Sequence, residues 1–394
     1  MQPFAGVKVI DMTHVLAGPF CAYQLSVMGA DVIKVEPPHD TDMVRPSGSV
    51  TAFNKEGLGT AFITQNSNKR AITLDIKTEK GKAILKRLWA ISDVFIENFR
   101  AGALAKQGLG YEDAVKVNPR IIYCSMTGFG QTGPKAGHTA YDNVIQACSG
   151  LMTTTGRPGD KPLKVGPPVL DYGSGIMAAY AISCALFQRT RTGKSQHIDV
   201  AMMDAAFMLM SSTVTDFLNG GGPPKLLGND SDNAGYACYD AKDGMVAIGG
   251  WTVSQQNRMW KVLGFPEGKA KTLDDIQRAH DEQKTVLEAH FKTLSCDALV
   301  TLFHKSGLPA EKVVTLEQAL ASPQAKARRV IHRHAEVPGL GKDIAVPVAA
   351  FQYAHGGPAV HSPPPRHGQH TDDVLGSLGY DDAAIAEWRK DGVV

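Results

Sequence analysis

Over the first 130 residues, short apolar runs alternate with stretches whose apolar positions recur at helical spacing. Val7–Asp11 reads as a strand, Pro19–Met28 as a helix and Asp31–Val35 as a second strand, with Gly29 where a C-terminal cap glycine belongs. The alternation continues through a helix at Lys80–Ile91 and strands at Asp93–Glu97 and Ile121–Met126. Continuous apolar strands between helices predict an α/β fold with a parallel sheet covered on both faces. Past Gly150 the pattern turns mainly helical, and Asn219-Gly-Gly-Gly-Pro-Pro224 interrupts it as a linker would. Tyr236–Tyr239 and Met245–Ile248 predict a hairpin around Lys242-Asp243-Gly244; helices follow to about residue 325, and a last helix falls near Asp381–Lys390.

The segment Gly166–Ile176 is the most suggestive chemically. Ile176, Ala179, Tyr180, Leu186 and Phe187 recur at helical spacing, which places Asp171 at or near the N-cap of a helix. There the helix dipole favours an ionised carboxylate, a poor general base but a usable nucleophile. Gly173 and Gly175 would leave bare backbone for a bulky group to approach. The spacing alone is equally that of an ordinary capping aspartate.

Composition narrows the classes. The 394 residues are 43% apolar and 20% charged, and a net charge of +2 without a basic stripe argues against nucleic acid. The longest mainly apolar run, Ile176 to Phe187, is 12 residues, too short to predict a membrane span, and no export signal is read at the N-terminus. Six scattered cysteines without a C-x-x-C pair predict reduced, buried thiols and a cytoplasmic protein, with no paired nucleophilic cysteine. His355, His361, His367 and His370 lack the spacing of a metal site, so no metal is expected. The turn Met12–Gly18 after the first strand lacks G-x-G-x-x-G, which disfavours a dehydrogenase.

Val7–Pro19 with Gly29–Pro38, Asn68–Lys77, Asp93–Arg100, Gly128–Pro134, Tyr141-Asp142, Gln146, Ser149-Gly150, Asp171 and Arg366–Leu375 together resemble the family III CoA-transferases and their α-methylacyl-CoA racemase relatives. The resemblance implies a large Rossmann-like domain built from residues 1–220 and 326–394, a smaller α+β domain at 221–325, and an interlocked, ring-like homodimer. It implies Asp171 as the residue that carries mixed-anhydride and aspartyl-CoA thioester intermediates. His14, Val15, Leu16, Ala17 and Tyr141 would line the thioester site, and Gly249-Gly250 would begin a covering glycine loop, although Trp251 stands where more glycine is usual. Leu74, Lys77, Asn98, Phe99 and Lys106 would contact CoA, the lysines having its phosphates as partners. Acyl-CoA and a small carboxylic acid are then substrates, and no tightly bound cofactor is expected.

Two other readings stand beside this one. A racemase needs a histidine where the alignment puts Tyr141, a phenol too weakly basic for α-proton abstraction at neutral pH; His138 lies three residues early. A non-catalytic CoA-binding protein would be expected to lack Asp171. Within the transferases, Leu16 replaces the glutamine that formyl-CoA transferase uses on oxalate, and Pro37 and Thr139 replace basic residues around CoA. Oxalate and formate are therefore disfavoured. Succinyl-CoA is the expected donor on the family's habit alone.

Overall fold

A computed structural model describes residues 1–394 apart from 266–269, 338 and the side chain of residue 336. The described chain divides into two compact units. The first joins Met1–Leu151, Lys164–Gly222 and Arg329–Val394; the second joins Met152–Leu163 with Pro223–Arg328. The segment Met152–Leu163, which the sequence pattern left within the first 220 residues, thus belongs to the second unit.

In the first unit six parallel strands form one sheet: β1 (Lys8–Met12), β2 (Asp31–Glu36), β3 (Lys69–Thr73), β4 (Val94–Glu97), β5 (Ile122–Thr127) and β6 (Gln196–Ala201). Their order is β3-β2-β1-β4-β5-β6, so the winding reverses between β1 and β4. Successive residues of a strand point to opposite faces, and both faces are apolar. Ile10, Ile33, Ile72 and Phe95 pack beneath helix α2 (Glu79–Ile91) and the C-terminal helices Thr371–Ser377 and Asp382–Lys390. Val9, Val32, Val94 and Ile122 pack beneath helices α1 (Ala17–Val27) and α4 (Val169–Thr192). The shorter helix α3 (Asp142–Cys148) precedes α4. Gly29, at φ +100°, follows the last turn of α1 and donates to Ser26 O at 3.0 Å; glycine takes this backbone without Cβ strain.

Helix α4 meets one expectation and corrects two. It begins at Val169 with Pro168 at the cap, so Asp171 lies near the N-cap, inside the first turn. Its buried stripe is Leu170, Ala178, Ala179, Ile182, Ala185 and Leu186, whereas Ile176, Tyr180 and Phe187 face outward. Gly173 and Gly175 serve packing. A Cβ on Gly175 would stand 2.8 Å from Ala17 O of α1, and one on Gly173 would stand 2.9 Å from Leu209. Small residues let α1 and α4 approach backbone to backbone, which fixes Asp171 relative to the start of α1. By length and composition α4 is also apolar enough for a membrane span, although its inward face is covered by α1 and the sheet.

The second unit has a three-stranded antiparallel sheet, β7 (Cys238–Ala241), β8 (Gly244–Ile248) and β9 (Ala310–Lys312). Val246 and Ile248 of that sheet pack with Trp260, Phe291 and Phe303 from its helices. Among the cysteines, Cys21, Cys124 and Cys296 are buried, but Cys148 and Cys184 are exposed, contrary to the expectation for all six. Cys184 lies on the outward face of α4, one turn beyond Tyr180.

Candidate active site

In an open parallel sheet the loops at the strand C-termini diverge where the winding reverses, and ligands bind in that crevice. Here the loops leaving β1 and β4 are tied together. His14 N–H donates to Asn98 Oδ1 at 3.0 Å, and Asn98 Nδ2 donates to His14 O at 2.8 Å. A cavity of about 480 Å³ opens beside them. His14, Val15, Leu16, Ala17, Asn98, Phe99, Tyr141 and Asp171 all line it. Arg100 and His138 line it as well. A second cavity of about 600 Å³ shares His14 and Phe99 with the first and contains Leu74 and Lys77. Lys106 is exposed on a short 3-10 turn and lines neither. Gly249 and Gly250 belong to the second unit, where their N–H groups donate to Pro309 O and Gly235 O. Gly250 O accepts from Asn233 and Gln256, so this stretch is pinned within its own unit.

The loop after β1 has an unusual backbone. Val15 has φ +70°, a region that costs a β-branched residue about 1–3 kcal/mol. Surrounding groups hold it there. Val15 N–H donates to Asp42 Oδ1 at 3.1 Å, and Val15 O accepts from Gln65 Nε2 at 2.6 Å. Asp42 is itself fixed by Lys34, whose ammonium lies 3.0 Å from Oδ2 and donates to Thr13 O at 2.9 Å. The Lys34 and Asp42 side chains are no more than 1% exposed. The loop after β4 is shaped similarly, since Phe99 N–H donates to the buried Glu97 carboxylate at 2.8 Å. Desolvation pushes that carboxyl up to about 7. Burial holds the His14 imidazole below its ordinary value, which leaves the ring neutral at pH 7.

Asp171 does not cap α4. That role falls to Asp142 at the start of α3, whose Oδ2 accepts from Leu170 N at 2.7 Å and Asp171 N at 3.3 Å. Gln146 Nε2 donates to its other oxygen. The buried Asp142 therefore occupies the anion site at the helix N-terminus. The Asp171 carboxylate accepts no hydrogen bond from any described side chain or backbone group and is left facing the cavity. Desolvation, and then the Asp142 charge, push Asp171 up to about 7. The expectation of an ordinarily ionised carboxylate is thus corrected. The helix dipole opposes these effects, but by only about 0.3–1 kcal/mol at an exposed site.

Asp142, Gln65 and Asp42 were not singled out in the sequence, although Asp142 stands beside Tyr141 in a quoted motif. Among the described residues no cluster of three or more metal-ligating side chains occurs. The arrangement offers an unsatisfied, half-buried carboxylate, a rigid loop at the start of a helix and an adjoining second cavity. This suits covalent attack on an activated carbonyl.

Two outcomes follow. Gln65→Leu removes the donor to Val15 O and also a buried amide oxygen that has no partner. Its stability should change by no more than about 1 kcal/mol in chemical denaturation, while loosening of the loop should lower kcat by about tenfold or more. Unchanged kcat would show that the clamp does not position the loop for reaction. For Asp142→Asn, an NMR titration of the Asp171 carboxyl should find its midpoint lowered from the native value by about one pH unit, because a like charge is removed while an acceptor stays on the helix. A stationary midpoint would leave burial as the whole cause.

Residues 4–371 match the model of CoA-transferase family III. Human succinyl-CoA:glutarate CoA-transferase is 36% identical, over 100% of this chain and 90% of that protein. Succinate–glutarate CoA-transferase of Agrobacterium fabrum is 35% identical, over 95% of this chain and 96% of that one. A CaiB/BaiF family protein from Brucella suis superposes with a TM-score of 0.81 at 34% identity, covering 96% of this chain and 99% of its own. With a match that runs from β1 to the C-terminal helices, the chain belongs to CoA-transferase family III, and it is a CoA-transferase.

Proposed function

We propose that this CoA-transferase moves CoA from succinyl-CoA to a dicarboxylic acid such as glutarate, with Asp171 carrying the transferred groups. The observation that carries the reading is the Asp171 carboxylate, which is freed from capping by Asp142 and faces the cavity at the winding reversal. The substrate pair follows the activities for which the two glutarate transferases above are named.

An Asp171 oxygen attacks the thioester carbonyl; the C–S bond breaks, giving a mixed anhydride and CoA thiolate. The thiolate attacks the Asp171 carbonyl and expels succinate, leaving an aspartyl-CoA thioester. The acceptor carboxylate attacks that thioester, releases the thiolate and forms a second anhydride. The thiolate then takes the acceptor acyl group and frees Asp171. Only the ionised carboxylate is nucleophilic, so the first step gains rate as pH rises through about 7, the value to which burial and Asp142 push the Asp171 carboxyl. Backbone N–H groups at the start of α1 and the neutral His14 adjoin the reacting carbonyl, and the second cavity with Leu74 and Lys77 suits the body of CoA.

Mass spectrometry after mixing the protein with succinyl-CoA and glutarate should reveal glutaryl-CoA, and Asp171→Ala should abolish it. Transfer that survives in the alanine variant would remove Asp171 from the mechanism. Loss of the α-proton from an α-methylacyl-CoA in deuterated buffer, without transfer, would favour a racemase.

We further propose that a second copy covers Ile176, Tyr180 and Phe187, which are 56%, 71% and 65% exposed along one face of α4. Sedimentation at micromolar concentration should then give twice the chain mass, and a monomer would remove this proposal. The unpaired exposed thiols Cys148 and Cys184 fit a reducing, cytoplasmic compartment.

A further inference from the structure

A transferase that works through one aspartate receives the donor acyl group and the acceptor acid in turn at the same carbonyl position. When both acids are dicarboxylic, each brings a second, non-reacting carboxylate into the same cavity. A carboxylate leaving water needs a cationic or hydrogen-bonding partner there. Among the described residues that line the Asp171 cavity, one carries a permanent positive charge, Arg100.

Two other arginines of the first unit are engaged elsewhere. Arg45 is buried, holds Glu36 through two hydrogen bonds of 2.8 and 2.6 Å and stacks on Phe62. Arg70 grips Asp31 through both carboxylate oxygens. Neither lines the cavity. The Arg100 guanidinium, by contrast, has no hydrogen-bond or ion-pair partner among the described residues. Its backbone is nevertheless set. It follows Asn98, which is locked to His14, and Phe99, which is held by Glu97, and Arg100 O accepts from Ala103 N at 2.9 Å. Among the described residues neither Arg100 nor Asp171 has an ion-pair partner, so Arg100 does not neutralise the nucleophile. Met126 and Met202 line the same cavity and suit a methylene chain.

We propose that Arg100 is the specificity-determining residue that binds the remote carboxylate of both dicarboxylic substrates, with the methylene chain spanning from it to Asp171. The proposal rests on the transfer reading above. A guanidinium can pair a carboxylate through two parallel N–H donors, which also fixes the direction of the chain. One cation would then serve both half-reactions: the succinyl group on entry and the incoming acid afterwards. The competing source of negative charge is CoA itself, whose phosphates an arginine could hold equally well.

The test compares wild type, Arg100→Met and Arg100→Lys. Readouts are steady-state transfer from succinyl-CoA to glutarate and calorimetric binding of free CoA. Arg100→Met should raise the KM for glutarate by about tenfold to a hundredfold and leave CoA affinity within about twofold. Arg100→Lys should recover part of the loss, since charge returns without the fork. Weakened CoA binding with an unchanged glutarate KM would assign Arg100 to the phosphates and overturn the proposal. An unchanged glutarate KM in Arg100→Met with CoA affinity intact would also overturn it. Wild type that transfers CoA to no dicarboxylate would overturn the transfer reading, and this proposal with it.

Discussion

The Lys34–Asp42 ion pair beneath the loop after β1 is the contact on which the geometry of the site rests. Asp42 uses one oxygen to hold Lys34 and the other to receive Val15 N–H, so a buried charge pair is wired directly to the strained residue at the cavity wall. The pair belongs to a larger set: Asp11 with Lys69 at 2.8 Å and Glu36 with Arg45 at 2.6 Å, all nearly inaccessible to water. Three carboxylates therefore face three cations, and the buried set is neutral overall. Desolvation and the nearby Lys34 outweigh Asp11 in lowering Lys69 to about 8, while Arg45 and Lys34 hold Glu36 down at about 2. A buried pair contributes little net stability, but removal of one partner costs about 3–5 kcal/mol. Such a pair fixes position, because any displacement exposes an uncompensated charge.

A second division of labour lies at α4. A helix N-terminus favours an anion, and two aspartates are within reach of this one. Asp142 accepts the backbone donors, whereas the Asp171 carboxylate, inside the first turn, accepts none and is raised by burial and by Asp142 itself. The same helix end thus anchors one carboxylate and leaves the other without a donor. The close contact of Gly175 with Ala17 O carries the consequence across to α1, since it sets Asp171 against the loop that Asp42 and Gln65 clamp.

The parallel strands, the helices between them and the segment around Asp171 were legible because their signals are local: apolar runs, helical spacing and a family motif sequence from Val7 to Leu375. The burial of Lys34, Glu36 and Asp11 within strands β1 and β2 was not legible. A charged residue in an apolar strand can face solvent or a partner, and only the parallel register and the return of the chain at Asp42 and Lys69 decide which. The phase of α4 failed for a related reason. Its large apolar residues point outward and its small ones inward, because inward packing is set by the closeness of α1.

The sequence by itself determined the strand-and-helix alternation, the family and the position of the aspartate proposed to carry the chemistry, since each is encoded in the residues at a place. Tertiary structure alone decided that Asp142 caps α4, that Val15 is held at positive φ and that Arg100 has no partner among the described residues. Those outcomes depend on which groups meet across 28 residues for Asp142 and Leu170, 50 for Val15 and Gln65, and 84 for His14 and Asn98. A polar group's chemistry follows from its partner, and partners so distant in the chain are chosen by the fold.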